Sequence, residues 1–419
     1  MIRFIALRKT PVAAQRKLMD LPSSTKRAAV VKSAFVEQEG DLLQSLGLRQ
    51  IPVGKSAPYV AHHFQQFNFM GAYVVETTSP DVAERAKELL APDHLIVPDI
   101  QLSLPRPVLI QNYRRRPPEQ DHWPVESGVA LAHKNGVWGE GVLVGVLDTG
   151  CDADHLEFRR ELIDFRYVPL DPTADPVRAC RGFDVDGHGT HVCGIIGGQH
   201  IGVAPKVELM VASVIESETL HTSLERVVIA LDWMLSKFRL EENLNKPAII
   251  NMSLGFRDPS TTPEQFDNIL QGLKQILSTL VVDFDVLPIV AVGNDGPGTM
   301  RAPAYFLESM SVGAIDAAFQ PAPFSGGGLS PITQQSEPDI AGFGVNILSS
   351  LERDIHNRSL YARMSGTSMA SPYVTGIAAL HASANPRLRG AELRQYLVDQ
   401  ALHLESPADR VGIGLARFT

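Results

Sequence analysis

Cysteine and long apolar runs are both scarce in this sequence, and each shortage excludes a class of protein. Three cysteines in 419 residues, Cys151, Cys180 and Cys193, are too few and odd in number for a disulfide framework. No stretch approaches the roughly 18 apolar residues of a transmembrane helix, and the first ten residues lack the apolar segment of a secretory signal. We therefore predict a cytoplasmic protein with no membrane partner, and leave open an export route that needs no cleavable signal.

Positive charge is also in short supply. Lysine and arginine total 38 against 47 acidic residues, so the net charge is -9. A nucleic-acid-binding protein usually presents a basic face, and we predict no nucleic-acid partner. The one basic run, at 114–116, lies among prolines and predicts an exposed linker. The hydrophobic fraction of 44% is ordinary for a globular protein with a sizeable core.

The residues before this linker predict a small α+β unit. A short strand opens the chain, a helix is expected from about 24 to 46, and strands are expected at 67–76 and 94–104. Ser79 and Pro80 give the N-cap and first position of another helix. Residues 11–66 are longer than this pattern needs and are only partly explained. We divide the chain into a first domain at 1–112, a linker at 113–122 and a larger domain at 123–419.

Apolar strands alternate with helices in the larger domain. This pattern predicts a doubly wound α/β fold, a mostly parallel sheet with helices on both faces. A capping box at Thr222 and Glu225 is expected to begin one of the helices. Strands are expected at 142–147, 207–214, 248–252, 287–292 and 310–314, and helices at 222–237, 263–279 and 367–383.

The stretch 184–194, DVDGHGTHVCG, concentrates residues that bind zinc and also transfer protons. Two distant residues bear on the choice, because Asp148 ends an apolar strand and Ser368 lies near the start of a helix. The order Asp148, His188, Ser368 is one of the chain orders of a Ser-His-Asp triad. A zinc hydrolase would need a remote ligand set, and none is convincing, so we predict no metal site.

Five segments occur in the order that the subtilisin-like serine proteases, the subtilases, show: VLDTG at 146–150, GHGTH at 187–191, NMSLG at 251–255, AVGN at 291–294 and SGTSMASP at 365–372. The chain resembles this family over roughly 120–419. The resemblance implies a serine endopeptidase that works through an acyl-enzyme. It implies that Ser368 is the nucleophile, His188 the general base and then acid, and Asp148 the group that orients the imidazole. Asn294 would donate to the oxyanion.

The resemblance also implies how substrate binds. A polypeptide substrate would add as a strand beside Ser253, Leu254 and Gly255, and on its other side near 218–220. Ala291, Val292 and Gly293, with 302–304, would line a pocket for an apolar P1 side chain. The first domain resembles the family's propeptides, mainly over 67–104. This implies a self-processing zymogen whose propeptide is an intramolecular inhibitor, cleaved between Leu104 and Gln120.

Departures from the family pattern are also informative. Many subtilases carry a calcium-binding loop after the histidine segment, whereas 194–205 passes directly to the next strand. We predict no cofactor and no tight calcium site there, and leave weak calcium binding elsewhere open. Cys151, Cys193 and His191 are expected to be packed side chains, with Asp184 and Asp186 shaping the turn. The alternative is a catalytically silent binding or scaffold protein on the same fold, against which the intact triad argues.

Overall fold

The computed structural model describes residues 1–9, 36–53, 60–104, 107–114, 123–158, 163–170, 178–216, 221–256 and 262–419. The first part of the chain forms a five-stranded sheet in the order β2-β3-β4-β1-β5. Its strands are β1 (Ile2–Arg8), β2 (Arg49–Gln50), β3 (His62–Phe67), β4 (Ala72–Thr77) and β5 (His94–Pro98), and its helices are α1 (Val36–Ser45) and α2 (Pro80–Leu90). Phe4, Phe64 and Val75 pack against Leu90 of α2 between sheet and helices. The small α+β unit is therefore present.

The remaining residues form a larger α/β body with an eight-stranded sheet. Its strand order is β10-β9-β11-β8-β13-β14-β15-β18, and all neighbours are parallel except the edge pair β10 and β9. The strands that follow β5 are β6 (Gln101–Ser103), β7 (Val108–Arg114), β8 (Leu143–Asp148), β9 (Asp164–Tyr167), β10 (Arg178–Ala179), β11 (Glu208–Ser213), β12 (His221–Ser223), β13 (Ala248–Met252), β14 (Val286–Ala291), β15 (Met310–Ile315), β16 (Gly328–Leu329), β17 (Ser336–Glu337), β18 (Ile340–Phe343), β19 (Ile347–Leu351) and β20 (Leu360–Ser365).

Helices cover both faces of this sheet. They are α3 (Val129–Lys134), α4 (His188–Gly197), α5 (Leu224–Phe238), α6 (Pro263–Ser278), α7 (Thr367–Ala384), α8 (Gly390–Gln400) and α9 (Ala408–Val411). Alternate residues of β8 face opposite cores. Val144 and Val146 pack with α4 and α7, whereas Leu143 and Leu147 pack with α5 and α6. The predicted doubly wound α/β fold is confirmed.

The sheet is built outward in two directions from its middle. From β8 the chain fills the β9 and β11 side, and from β13 it fills the β14, β15 and β18 side. The carboxyl ends of β8 and β13 therefore meet where the direction of winding changes, which is the place where open α/β sheets form a binding crevice. Asp148 is the last residue of β8.

The first unit docks on the large body through its sheet. Ile5 and Leu7 of β1 and Val97 of β5 share one core with α5 and α6. Gly272 of α6 permits this approach, because a methyl group built on it would lie 2.7 Å from Val97. The apolar face that the small sheet leaves uncovered by its own helices is thus buried against the large body.

Three local predictions were wrong. The expected strand at 67–76 is a hairpin, since β3 ends at Phe67 and β4 begins at Ala72, with Gly71 at a φ of +58° in the turn. The expected strand at 94–104 divides into β5, which pairs with β1, and β6, which pairs with β12. Ser223, not Thr222, caps α5, because Thr222 lies in β12 opposite Leu102.

Most of the predicted linker, residues 115–122, lies outside the described residues, and the chain before it forms a strand. Strand β7 (Val108–Arg114) pairs antiparallel with β20 and completes a three-stranded sheet with β19. The chain therefore already contacts the large body before residue 113. Of the helix expected from about 24 to 46, only the part from Val36 lies within the described residues. Among the described residues, no helix is long and apolar enough to cross a membrane.

Candidate active site

Asp148 is fixed at the carboxyl end of β8, beneath the crevice. The residue is fully buried, and its Oδ1 accepts the Thr149 N–H at 2.8 Å and the Nδ1–H of His188 at 2.7 Å. A buried carboxylate that accepts from Nδ1 leaves Nε2 as the basic nitrogen of the ring. The predicted pair of Asp148 and His188 is thus in hydrogen-bond contact.

His188 begins helix α4, with Gly187 at the N-cap in the left-handed region at a φ of +91°. A glycine is needed at position 187, because a methyl group built on Gly187 would overlap the carboxylate of Glu352. The hydroxyls of Ser350 and Ser349 on β19 donate to the Thr190 and His191 carbonyls of the same helix, at 2.9 and 2.7 Å. These contacts fix the helix against the β19–β20 hairpin that leads to Ser368.

Ser368 lies in the first turn of α7, which packs against α4. Its Oγ and His188 Nε2 are both buried, and neither has a hydrogen-bond partner among the described residues. Asn294 lies beside this turn, where its Oδ1 accepts the Thr367 N–H at 2.8 Å. A methyl group built on Gly366 would lie 3.2 Å from Asn294 Nδ2, so the amide lies close to the backbone just before Ser368. The structure therefore places Asp148 against His188 and Asn294 against the residues just before Ser368, with His188 and Ser368 at the starts of two helices that pack together.

Asp184 connects the aspartate and histidine segments, a role that sequence reasoning did not assign. Its carboxylate accepts the Thr149 hydroxyl at 2.8 Å and the Thr190 N–H and hydroxyl, each at 2.6 Å. The Thr149 hydroxyl in turn accepts the Gly189 N–H at 2.9 Å. Asp184 thus caps the first turn of α4 and ties it to the end of β8. Its place four residues before His188 is the only sequence signal for this.

Carboxylates set the protonation of the histidine. Burial alone would lower the pKa of His188, but the charge and hydrogen bond of Asp148, with Asp186 and Asp184, raise its pKa above the usual value. Burial and then the charge of Asp184 raise the pKa of Glu352 to about 7, and its Oε2 lacks a hydrogen-bond partner in the described part of the chain. The site therefore favours an imidazolium, the ion that forms when a base takes a hydroxyl proton.

His191, Cys151 and Cys193 are packed side chains, as expected, whereas Asp186 is exposed. His191 is fully buried, its Nε2 lies 3.1 Å from the Ala362 carbonyl, and burial lowers its pKa to about 3. Cys151 and Cys193 are both buried free thiols that interact with each other, and Cys180 is exposed. Within the described residues, no group of three or more histidine, cysteine or acidic side chains could hold a metal ion.

A segment of the chain itself lies along the expected peptide-binding edge. Ser103 and Gly255 exchange two backbone hydrogen bonds, of 3.0 and 2.9 Å, in an antiparallel bridge. On its other side β6 pairs with β12, and Pro107 lies 3.3 Å from a methyl group built on Gly366. The segment 218–220, also expected at this edge, lies outside the described residues.

The expected pocket contains one residue that the sequence did not indicate. Ala291, Val292 and Gly293, the predicted pocket walls, are buried. Between Gly293 and Gly255, however, lies the side chain of Arg301. No local sequence pattern predicts that an arginine lies between these two glycines. The predicted P1 pocket would therefore have a wall that is not purely apolar.

Comparison with known proteins gives the family. Residues 139–414 match the model of the subtilase family. The chain is 44% identical over 367 residues to the subtilisin-like protease PopC of Myxococcus xanthus, which covers 85% of this chain and 77% of that protein. It is 30% identical over 335 residues to an intracellular serine protease of Paenibacillus polymyxa (75% and 91% covered) and 33% identical over 283 residues to subtilisin Savinase of Lederbergia lenta (66% and 88%). The resemblance is thereby confirmed, and the chain belongs to the subtilases as a subtilisin-like serine protease.

Proposed function

We propose that Ser368, His188 and Asp148 are the catalytic triad of this protease. The observation that carries the proposal is the state of the two ring nitrogens of His188. Nδ1 is bonded to the buried Asp148 at 2.7 Å, whereas Nε2 is buried without a partner among the described residues, like the Ser368 hydroxyl. A serine hydroxyl is almost wholly protonated at neutral pH, so nucleophilic catalysis needs a base that can take its proton. The helices that carry His188 and Ser368 pack against each other, and neither atom is engaged by another group of the described residues, which supports this pairing.

The chemistry follows from these atoms. As Ser368 Oγ bonds to the scissile carbonyl carbon, its proton moves to His188 Nε2, and Asp148 stabilises the imidazolium. The imidazolium then gives this proton to the leaving amine, which leaves an acyl-enzyme. Water repeats the sequence, with His188 as base, and regenerates the hydroxyl. Asn294 Nδ2 and the Ser368 N–H would donate to the oxyanion. Removing one such donor typically raises the activation barrier by about 3 kcal/mol.

A fluorophosphonate probe tests the triad. We expect the wild-type chain to be labelled and Ser368→Ala to be unlabelled. Ser371→Ala is the matched control, since this buried serine of the same helix donates to Asn251 at 2.7 Å and should leave labelling intact. Labelling of Ser368→Ala would refute the assignment. A folded wild-type chain that resists labelling even after its first unit is removed would favour the silent-scaffold alternative.

We also propose that the first unit is an intramolecular inhibitor that binds as substrate does. Its strand β6 lies between β12 and Gly255, and β7 pairs with β20 on the far side of Gly366. A chain held on both sides of the serine covers the edge that a polypeptide substrate needs. Processing would fall between Leu104 and Gln120, as the family resemblance implies.

One backbone hydrogen bond provides the test. Ser103→Pro removes the N–H that donates to the Gly255 carbonyl at 3.0 Å, whereas Ser103→Ala keeps it. We expect the full-length Ser103→Pro chain to react with the probe faster than Ser103→Ala. Equal rates would show that this strand does not restrict access to Ser368. N-terminal sequencing of an active preparation would refute processing by finding only Met1.

The location and the calcium requirement are further proposals. The name of the relative from Paenibacillus polymyxa and the free thiols support action in the cytoplasm, which cell fractionation would test. Helix α4 ends at Gly197, and a few turns lead directly to β11, which supports the lack of a tight calcium site there. We expect a chelator to leave the melting temperature and the labelling unchanged; a marked fall would indicate a metal requirement.

A further inference from the structure

Arg301 lies in the wall of the cleft, between the two segments expected to contact substrate. Its N–H donates to the Val292 carbonyl at 3.0 Å, and the next residue, Ala302, bridges antiparallel to Phe256. A methyl group built on Gly255 would lie 2.7 Å from Arg301 Cβ, and one built on Gly293 would lie 3.1 Å from Arg301 Cγ. The stem of Arg301 therefore occupies the space that these two glycines leave.

The guanidinium contacts one residue of the body and one of the bound strand. Nε and Nη2 donate to the two oxygens of Asp295 at 2.7 and 3.1 Å, a two-pronged ion pair. Nη1 donates to the hydroxyl of Ser103 at 2.7 Å. Ser103 is the residue that exchanges two backbone hydrogen bonds with Gly255, so its side chain marks a defined position along a bound peptide.

The environment makes this contact selective. The Arg301 side chain is 16% exposed and that of Asp295 is 23% exposed, so the pair is largely shielded from water. Hydrogen bonds from a charged donor are stronger than neutral ones, and more so where water is excluded. A guanidinium has no acceptor, so it favours an oxygen on the peptide and repels a cation. Asp295 neutralises part of the charge, which limits the preference to a moderate one.

We propose that Arg301 is a specificity-determining residue of this protease. Its guanidinium binds the side chain of the peptide residue paired with Gly255, favours an acidic or hydroxyl side chain there and disfavours a basic one. The proposal rests on the proposed function in one respect, that substrate follows the path of β6. It adds a polar preference to a cleft whose other predicted wall residues, Ala291, Val292 and Gly293, are small and apolar.

A double-mutant cycle in the full-length chain tests the contact without requiring catalysis. In a Ser368→Ala background, Ser103 is changed to Glu, to its neutral match Gln, and to Lys. Amide hydrogen exchange is then measured at Gly255, whose N–H is bonded to the Ser103 carbonyl. We expect Ser103→Glu to exchange about three- to tenfold more slowly than Ser103→Gln, and Ser103→Lys faster by a similar factor.

The same three changes are repeated with Arg301→Met, which keeps an apolar stem between the glycines but removes the charge. The negative charge of Asp295 remains in these variants. The difference in Gly255 exchange rate between Ser103→Glu and Ser103→Lys should therefore disappear or reverse. Equal exchange rates for all three variants in the Arg301 chain, or the same order after Arg301→Met, would overturn the proposal.

The second measurement is the cleavage-site profile of the active chain on a denatured protein mixture. We expect acidic and hydroxyl residues to be enriched over lysine and arginine at one position upstream of the cut, and the enrichment to be lost in Arg301→Met. An unchanged profile would refute the specificity role. If the exchange order holds but the wild-type chain freed of its first unit cuts no substrate, the proposed triad fails and the contact of Arg301 with the peptide residue stands.

Discussion

Replacing Asp232 by asparagine should strengthen the docking of the first unit at neutral pH. The Asp232 carboxylate, on α5, accepts the N–H groups of Phe69 and Met70 from the turn between β3 and β4, at 2.7 and 2.9 Å. The residue is 8% exposed. Burial raises the pKa of Asp232 from 3.8 to about 6, although the two N–H groups oppose this shift. Docking therefore buries the Asp232 carboxylate, and this burial disfavours its ionised form.

The sign and the size of the effect follow from this pKa. The docked state binds more protons than the undocked state between pH 3.8 and about 6, so docking weakens as pH rises through this window and is constant above it. A shift of about 2 units corresponds to a ceiling of about 3 kcal/mol, or roughly a 100-fold change in the docking equilibrium. Asparagine keeps an oxygen acceptor and does not ionise, so Asp232→Asn should gain up to this amount above pH 6.

Amide hydrogen exchange at Phe69 and Met70 measures this docking directly, because both N–H groups bond to the carboxylate. In the full-length Ser368→Ala chain, we expect Asp232→Asn to exchange more slowly than the parent at pH 7.5 and about equally near pH 4. Asp232→Ala, which removes the oxygen that accepts both N–H groups, should exchange faster throughout. If Asp232→Asn keeps the pH slope of the parent, or is less protected at pH 7.5, the reasoning is wrong.

Three further substitutions test the catalytic body. Asp148→Asn should lower kcat by about 10⁴. Because the Asp148 charge raises the pKa of His188, the substitution should also move the acidic limb of the pH profile of kcat/KM to lower pH. An acidic limb that does not move would contradict this reasoning. Asn294→Ala should lower kcat by about 10² to 10³ with little change in KM, as measured with a peptide substrate; a change confined to KM would argue against an oxyanion role. Tyr361→Phe removes the donor to the buried Glu157 carboxylate, at 2.6 Å, and should lower the free energy of unfolding by about 1 to 3 kcal/mol in urea titration, whereas an unchanged midpoint would show that another group replaces the hydroxyl.

The alternation of strands and helices was predictable because it depends on local apolar patterns. Leu143 to Leu147 form one apolar run that is buried on both faces, as a central parallel strand should be. The same rule failed at 67–76, where apolar residues continue through a hairpin turn and conceal it. Asp148, His188 and Ser368 were singled out from the short motifs around them, and their catalytic roles stay a prediction.

The supporting residues of the site were harder to predict, because their roles depend on contacts far along the chain. The role of Asp184 depends on its hydrogen bond with Thr149, 35 residues earlier in the chain. No local sequence rule connects these two residues. Arg301 fills a space between Gly255 and Gly293 that exists only when three separate segments come together. The placement of β7 beside β20 likewise depends on residues some 250 positions apart, beyond the range of any periodicity.

If the first unit is cleaved off as proposed, the two-sided pairing of the chain around Ser368 would separate cleavage from activation. Strand β6 and strand β7 are held by different partners, β12 with Gly255 on one side and β20 on the other. A cut between Leu104 and Pro107 would remove the covalent link and leave both new ends in place. Each anchor keeps its end at a high effective concentration near the cleft, since the first unit is also docked on α5 and α6. The lag between processing and the appearance of activity would then measure strand dissociation instead of peptide-bond hydrolysis.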